Sequence, residues 1–75
     1  MTSVLPVLSG RQVVAVFVAL GWSVARQRGS YVVLTKPGQM ATLSVPDHAE
    51  VARGTLRSLL RAGGVTSSEF VARLP

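Results

Sequence analysis

Two tight-turn signatures in the middle of the chain constrain its fold more than any other feature. They are Gly29-Ser30 and Lys36-Pro37-Gly38-Gln39, and proline followed by glycine is typical of a type II turn. Segments with strand character flank both turns: Trp22 to Arg28, Tyr31 to Thr35 and Met40 to Val45. Because short consecutive strands joined by tight turns pair with their neighbours, we expect a three-stranded antiparallel meander.

An apolar helix is predicted before this sheet. Ser9 offers an N-cap hydroxyl and Gly21 a stop, and four apolar residues fall at helical spacing between them: Val13, Val16, Phe17 and Leu20. We expect this helix to be largely buried. The same region also resembles a secretory signal, because Arg11 precedes the apolar run and Ser23-Val24-Ala25 after it resembles a signal-peptidase site. A core helix is favoured, because the run is far shorter than the ~20 residues of a membrane span.

Two helices are predicted after the sheet. The third strand should place Ala41, Leu43 and Val45 on one face and stop at Pro46, and a polar loop should follow from Asp47 to Arg53. A helix is then predicted from Gly54 or Thr55 to Ala62, and Gly63-Gly64 should terminate it. Its core side should carry three leucines: Leu56, Leu59 and Leu60.

The chain ends in a capping box, Thr66-Ser67-Ser68-Glu69, which predicts a short last helix with Phe70, Val71 and Leu74 directed inward. The order is therefore α-β-β-β-α-α. We expect an α+β fold with helices on one face of the sheet and the other face open for a ligand. Residues 1–8 should form an extended arm and residues 9–75 the domain.

The charge of the chain predicts an anionic partner. Its 75 residues suffice for one domain, the net charge is +5, and seven of the eight basic residues are arginine, the side chain best suited to phosphate. RNA, DNA, an acidic membrane surface and an acidic protein all fit this charge. The absence of cysteine excludes disulfides, thiolate catalysis and the usual zinc sites, and fits a reducing cytoplasm.

The distribution of the basic residues favours nucleic acid. Arg53, Arg57 and Arg61 recur every four residues and form one row on a helix, which suits either a phosphate backbone or a solvated face. Three further basic residues surround the hairpin turns: Arg26, Arg28 and Lys36. The single histidine, His48, is an ordinary surface residue or an acid/base group. We expect no metal site, no nucleotide fingerprint and no cofactor.

Several motifs in consistent order resemble the HicA family of toxin ribonucleases. They cover nearly the whole domain and leave only the first eight residues outside. The motifs are Gly21-Trp22, Arg26-Gln27-Arg28-Gly29-Ser30, Leu34-Thr35-Lys36-Pro37-Gly38, Leu43-Ser44-Val45-Pro46-Asp47-His48 and Arg53-Gly54-Thr55-Leu56-Arg57-Ser58-Leu59-Leu60-Arg61-Ala62-Gly63.

This resemblance implies a fold like the double-stranded-RNA-binding domain, metal-independent cleavage of messenger RNA, and neutralisation by a HicB-type antitoxin. In the family a catalytic histidine follows the Gly-Ser turn, and here that position is Tyr31. Tyrosine is a poor base near neutral pH, so we expect an inactive or very weak ribonuclease. The expected catalytic site comprises Gly29, Ser30 and Tyr31. The expected RNA contacts are Arg26, Arg28, Lys36, His48, Arg53, Arg57 and Arg61.

Several alternatives stay open from the sequence alone. Tyr31 is either the residue of a family member whose chemistry has changed or a substitution that silences a toxin. His48 is an alternative catalytic group if its loop reaches the open sheet face. The rival functions are a module that binds RNA or an antitoxin without cleavage, and a domain that binds only protein.

Overall fold

The computed structural model describes residues 5–75, so the first four residues of the predicted arm lie outside the described residues. The predicted element order α-β-β-β-α-α is confirmed. The elements are α1 (Gly10–Ala19), β1 (Ser23–Arg28), β2 (Tyr31–Thr35), β3 (Leu43–Pro46), α2 (Arg53–Gly63) and α3 (Ser67–Ala72).

The first helix begins at the predicted cap. The Ser9 hydroxyl accepts a hydrogen bond from the Gln12 backbone N–H, and the Gln12 side chain accepts one from the Ser9 N–H, which together satisfy two N–H groups that the first turn would leave unpaired. Val13, Val16 and Phe17 are buried. The expectation that α1 is largely buried is correct for one stripe only, because the other side does not meet the core and Val18 remains 47% exposed.

Both predicted turns are present, and the first sets the register of the β1–β2 hairpin. Gly29 has a φ of 58° and no non-glycine residue in the described chain has a positive φ, which is the pattern of a two-residue type II′ hairpin. At the second turn Gly38 has a φ of 83° and the Gln39 N–H donates to the Lys36 carbonyl. The strands therefore pair in the antiparallel order β1-β2-β3.

Two strand boundaries differ from the prediction. Trp22 lies outside β1, because its backbone N–H donates to the Phe17 carbonyl at the end of α1 and its side chain is buried in the core. β3 begins at Leu43 and not at Met40, since pairing with β2 starts at Leu34–Leu43. Met40 is fully exposed. Pro46, expected to stop the strand, is its last paired residue and lies on an edge strand, where proline is tolerated.

The helices cover one face of the sheet. The predicted leucines of α2 are buried together with Phe17, Trp22 and Phe70, and Gly64 ends α2 in the left-handed conformation. α2 begins at Arg53, one residue earlier than predicted. The arm also contributes, since Leu5 and Leu8 are buried and the Val51 N–H donates to the Leu8 carbonyl.

The last helix begins at the predicted capping box. The Thr66 hydroxyl accepts from the Glu69 N–H, and the Glu69 carboxylate accepts from the Thr66 N–H. These contacts with Thr66 lower the pKa of Glu69, and the positive charge of Lys36 lowers it to a smaller extent. Phe70 is buried as predicted, whereas Val71 is 36% exposed and the prediction that it points inward is wrong.

Candidate functional site

A β-bulge in β1 decides which side of the sheet carries two arginines. Val24 pairs with the buried Leu34, but the next paired residue of β1 is Arg26, opposite Val33, so Ala25 is the extra residue. Strict alternation from Val24 would place Arg26 and Arg28 on the helix-covered face, whereas one inserted residue turns the following side chains over. Arg26 and Arg28 therefore lie on the open face.

The open face holds a shallow pocket built from all three strands. Its volume is about 430 Å³ and its lining residues are Arg26, Arg28, Tyr31, Val33, Thr42 and Ser44. Cross-strand pairing accounts for their proximity, because Arg28 pairs with Tyr31 and Val33 pairs with both Arg26 and Ser44. Residues paired across antiparallel strands present their side chains on the same face.

The pocket combines an apolar centre with polar sides. Val33 is only 5% exposed yet does not belong to the helix-side core, and Tyr31 beside it is 47% exposed. Within residues 5–75, neither arginine pairs with a carboxylate, and no side-chain hydrogen bond occupies the hydroxyl of Tyr31, Thr42 or Ser44. These groups are available to a ligand.

The hairpin turn fixes Tyr31 at one end of this pocket. The Gln27 side chain donates to the Gly29 carbonyl at 3.3 Å, and the Asp47 N–H donates to the Ser30 carbonyl at 2.7 Å. The second bond ties the turn to the loop after β3. Gly29 and Ser30 thus shape the backbone that presents Tyr31 and do not themselves line the pocket.

His48 lies beside the turn but outside the pocket. It follows Asp47, whose carboxylate is 3.8 Å from the Arg11 Nε, and its own carbonyl accepts from the Gly10 N–H at 2.9 Å. The His48 side chain is exposed and is absent from the pocket lining. The structure therefore brings His48 to the same end of the sheet as Tyr31 without joining the two in one site.

The remaining basic residues lie farther away. Lys36 follows the opposite end of β2 from Tyr31, and its side chain lies against Gly21. The α2 arginines, Arg53, Arg57 and Arg61, are exposed on a helix that packs against the covered face of the sheet. Of the predicted RNA contacts, the structure gathers only Arg26 and Arg28 around Tyr31.

Three pocket residues were not predicted from the sequence. Thr42 fell inside a predicted strand, and Val33 and Ser44 read as ordinary strand residues because nothing in their neighbourhood marks a site. The pairing of Val33 with Arg26 on one side and with Ser44 on the other places the three residues in one row across the sheet. The turn alone would not have identified Ser44, because continuing the Lys36–Gln39 turn would set Val33 opposite Thr42, whereas Val33 pairs with Ser44.

Two further features of residues 5–75 concern metal ligands and membrane-spanning helices. Within residues 5–75 no three histidine, cysteine or acidic side chains are placed to hold a metal. No helix in this range has the length and apolar character to cross a membrane. The apolar run that resembled a signal segment forms the core helix α1.

Comparison with known proteins identifies the family. A comparison with curated proteins gave no match. A sequence model of the HicA toxin of bacterial toxin–antitoxin systems matches residues 10–65, a range that spans most of the 75 residues and contains every residue of the pocket. The chain therefore belongs to the HicA toxin family.

Proposed function

We propose that this chain is a HicA-type ribonuclease scaffold that binds messenger RNA on the open sheet face and cleaves it weakly or not at all. One observation carries the proposal: Tyr31, which the family resemblance matches to a catalytic histidine, shares a pocket with Arg26 and Arg28. Two guanidinium groups without carboxylate partners in the described chain favour phosphate, which arginine can bind through two parallel hydrogen bonds.

Tyr31 accounts for the weak activity. Cleavage of RNA by its own 2′-hydroxyl needs one group that removes the hydroxyl proton and another that protonates the leaving 5′-oxygen. Histidine performs either task near pH 7. A phenol can donate a hydrogen bond or stack on a nucleobase, but it is a far poorer proton acceptor than an imidazole near neutral pH.

The other predicted contacts take supporting roles in this proposal. Gly29 and Ser30 hold the turn that presents Tyr31, and His48 borders the same end of the sheet. Lys36 and the α2 arginines contact RNA that extends beyond the pocket. A HicB-type antitoxin is the proposed protein partner, and it would block RNA most directly by covering the open face. Neither a metal ion nor another cofactor is required for this chemistry.

A non-catalytic binding module is the second candidate, and Tyr31 itself favours it. A stacking phenol beside two arginines would retain affinity for RNA without acid/base chemistry. This candidate shares the RNA site of the first and differs in one respect, since restoring histidine at residue 31 would then produce no cleavage.

Charge removal at the pocket tests RNA binding. We expect the double variant Arg26→Gln/Arg28→Gln to lower affinity for single-stranded RNA and to reduce the slope of log K against log salt by about 1.4, because each lost phosphate contact on a single strand contributes about 0.7. Fluorescence anisotropy at several salt concentrations measures both quantities.

Arg73→Gln/Arg11→Gln is the matched control. It removes the same charge outside the pocket, at two exposed arginines. If the control lowered affinity and salt slope as much as the pocket variant, binding would depend on total charge and the proposed site would be wrong.

A further inference from the structure

We propose that the open-face pocket receives one unstacked nucleotide of single-stranded RNA, so that the protein selects single strands over duplex. This inference rests on the proposed function and adds the form of the substrate. It starts from the chemistry of the pocket across the three strands, in which cationic, apolar and hydroxyl-bearing side chains follow one another in that order.

The chemistry changes from one edge of the pocket to the other. Arg26 and Arg28 come from β1, Tyr31 and Val33 from β2, and Ser44 from β3, with Thr42 just before it. Neighbouring strands lie about 4.8 Å apart, so the two edges are separated by about 10 Å. A nucleotide placed across the strands would set its phosphate near the arginines, its base over Val33 and the base edge at the hydroxyls.

The apolar centre of the pocket is suited to the flat face of a nucleobase. Val33 is nearly buried while the adjacent Tyr31 is half exposed, which leaves a small surface against which a flat aromatic group can pack. In a duplex both faces of every base are covered by neighbouring pairs, and protein side chains reach mainly phosphates and 2′-hydroxyls. Only an unstacked base can therefore use this centre.

The hydroxyls give the pocket a means to distinguish bases. Those of Thr42 and Ser44 have no hydrogen-bond partner within residues 5–75, and each can donate one hydrogen bond and accept others. Base edges differ in their donors and acceptors, whereas phosphates do not. Thr42 and Ser44 are thus the residues that would set base preference, and the arginines would set affinity for any sequence.

The position of the α2 arginines also favours a single strand over a duplex. They lie on the helix-covered side of the sheet and the pocket lies on the other. A stiff duplex cannot follow the surface from one side to the other, whereas a flexible single strand can. A pocket with only two cations would also hold a duplex weakly, because non-specific duplex binding depends on many phosphate contacts.

The test compares short RNA oligomers of equal length with the unaltered chain. We expect a labelled single strand to bind at least about tenfold more tightly than the duplex of the same sequence. Tyr31→Ala should weaken binding of the single strand by about 5- to 150-fold, the range of one lost base–aromatic stack. Tyr31→Phe keeps the ring and should retain most of the affinity.

Base preference is tested with Thr42→Val/Ser44→Ala. This variant should change the affinity ranking of the four homopolymers while the salt slope stays the same, and Thr55→Val on the exposed surface of α2 should change neither. Equal weakening for all four homopolymers would overturn the role of the hydroxyls.

The outcomes separate this inference from the proposed function. Duplex binding as tight as single-strand binding would overturn the inference and leave an RNA-binding scaffold. Binding of neither RNA, together with binding of an acidic peptide at the pocket, would overturn both and assign the site to a protein partner.

Discussion

Replacing Tyr31 with histidine should raise the rate of RNA cleavage by about 10²–10⁴-fold, the usual contribution of one general acid/base group. The position suits this gain because the side chain already lies in a pocket with Arg26 and Arg28, which would hold the phosphate next to the reacting 2′-hydroxyl. Cleavage of a labelled RNA by the purified variant measures the rate, and growth arrest on tightly controlled expression reports it in cells.

Three controls assign the gain to an imidazole at residue 31. Tyr31→Phe should show no increase, Tyr31→His in the Arg26→Gln/Arg28→Gln background should lose most of it, and Tyr31→His with His48→Gln should keep it. Loss of the gain in the last variant would move the chemistry to the loop histidine. If Tyr31→His folds normally and cleaves RNA no faster than the unaltered chain, the proposed catalytic position is wrong.

Replacing Gly10 with alanine should destabilise the fold by about 3 kcal/mol or more, at the upper end of overpacking effects. A Cβ on Gly10 would collide with the Pro46 carbonyl and lie 2.9 Å from the Asp47 Cα. Both obstacles are backbone, so no side chain can turn aside. A 75-residue domain has only about 4–11 kcal/mol of stability, and urea denaturation will show a large loss.

Gly54→Ala is the control for helix propensity. Gly54 lies in α2 with nothing within 4 Å of a Cβ built on it, so alanine should stabilise the fold by about 0.5–1 kcal/mol. Equal stabilisation by both substitutions would show that α1 does not approach β3 as closely as the structure describes. The contact matters for function because β3 ends beside Tyr31, with which Pro46 pairs.

The local signals in the sequence predicted much of the fold. The N-cap at Ser9 and the capping box at Thr66 involve residues three apart, so they can be recognised without tertiary information. The two glycine-containing turns likewise fix β2 between them. The leucines of α2 were predicted because a helix stripe that packs on a sheet must be apolar at regular spacing.

The pocket could be predicted only in part, because its geometry depends on pairing between strands. Tyr31, Arg26 and Arg28 were expected at the site, the first through the family resemblance and the arginines through charge. The bulge at Ala25, which places both arginines on the open face, leaves no mark in composition or spacing. The close approach of Gly10 to Pro46 is equally tertiary, since the two are far apart in sequence.

The most direct measurement is an NMR titration that follows the backbone amides during addition of a short single-stranded RNA to the unaltered chain. The open-face site predicts the largest shift changes in residues 26–28, 31–33 and 42–44, with small changes along α2. Changes confined to residues 53–61, with the amides of the open face unmoved at saturation, would contradict it.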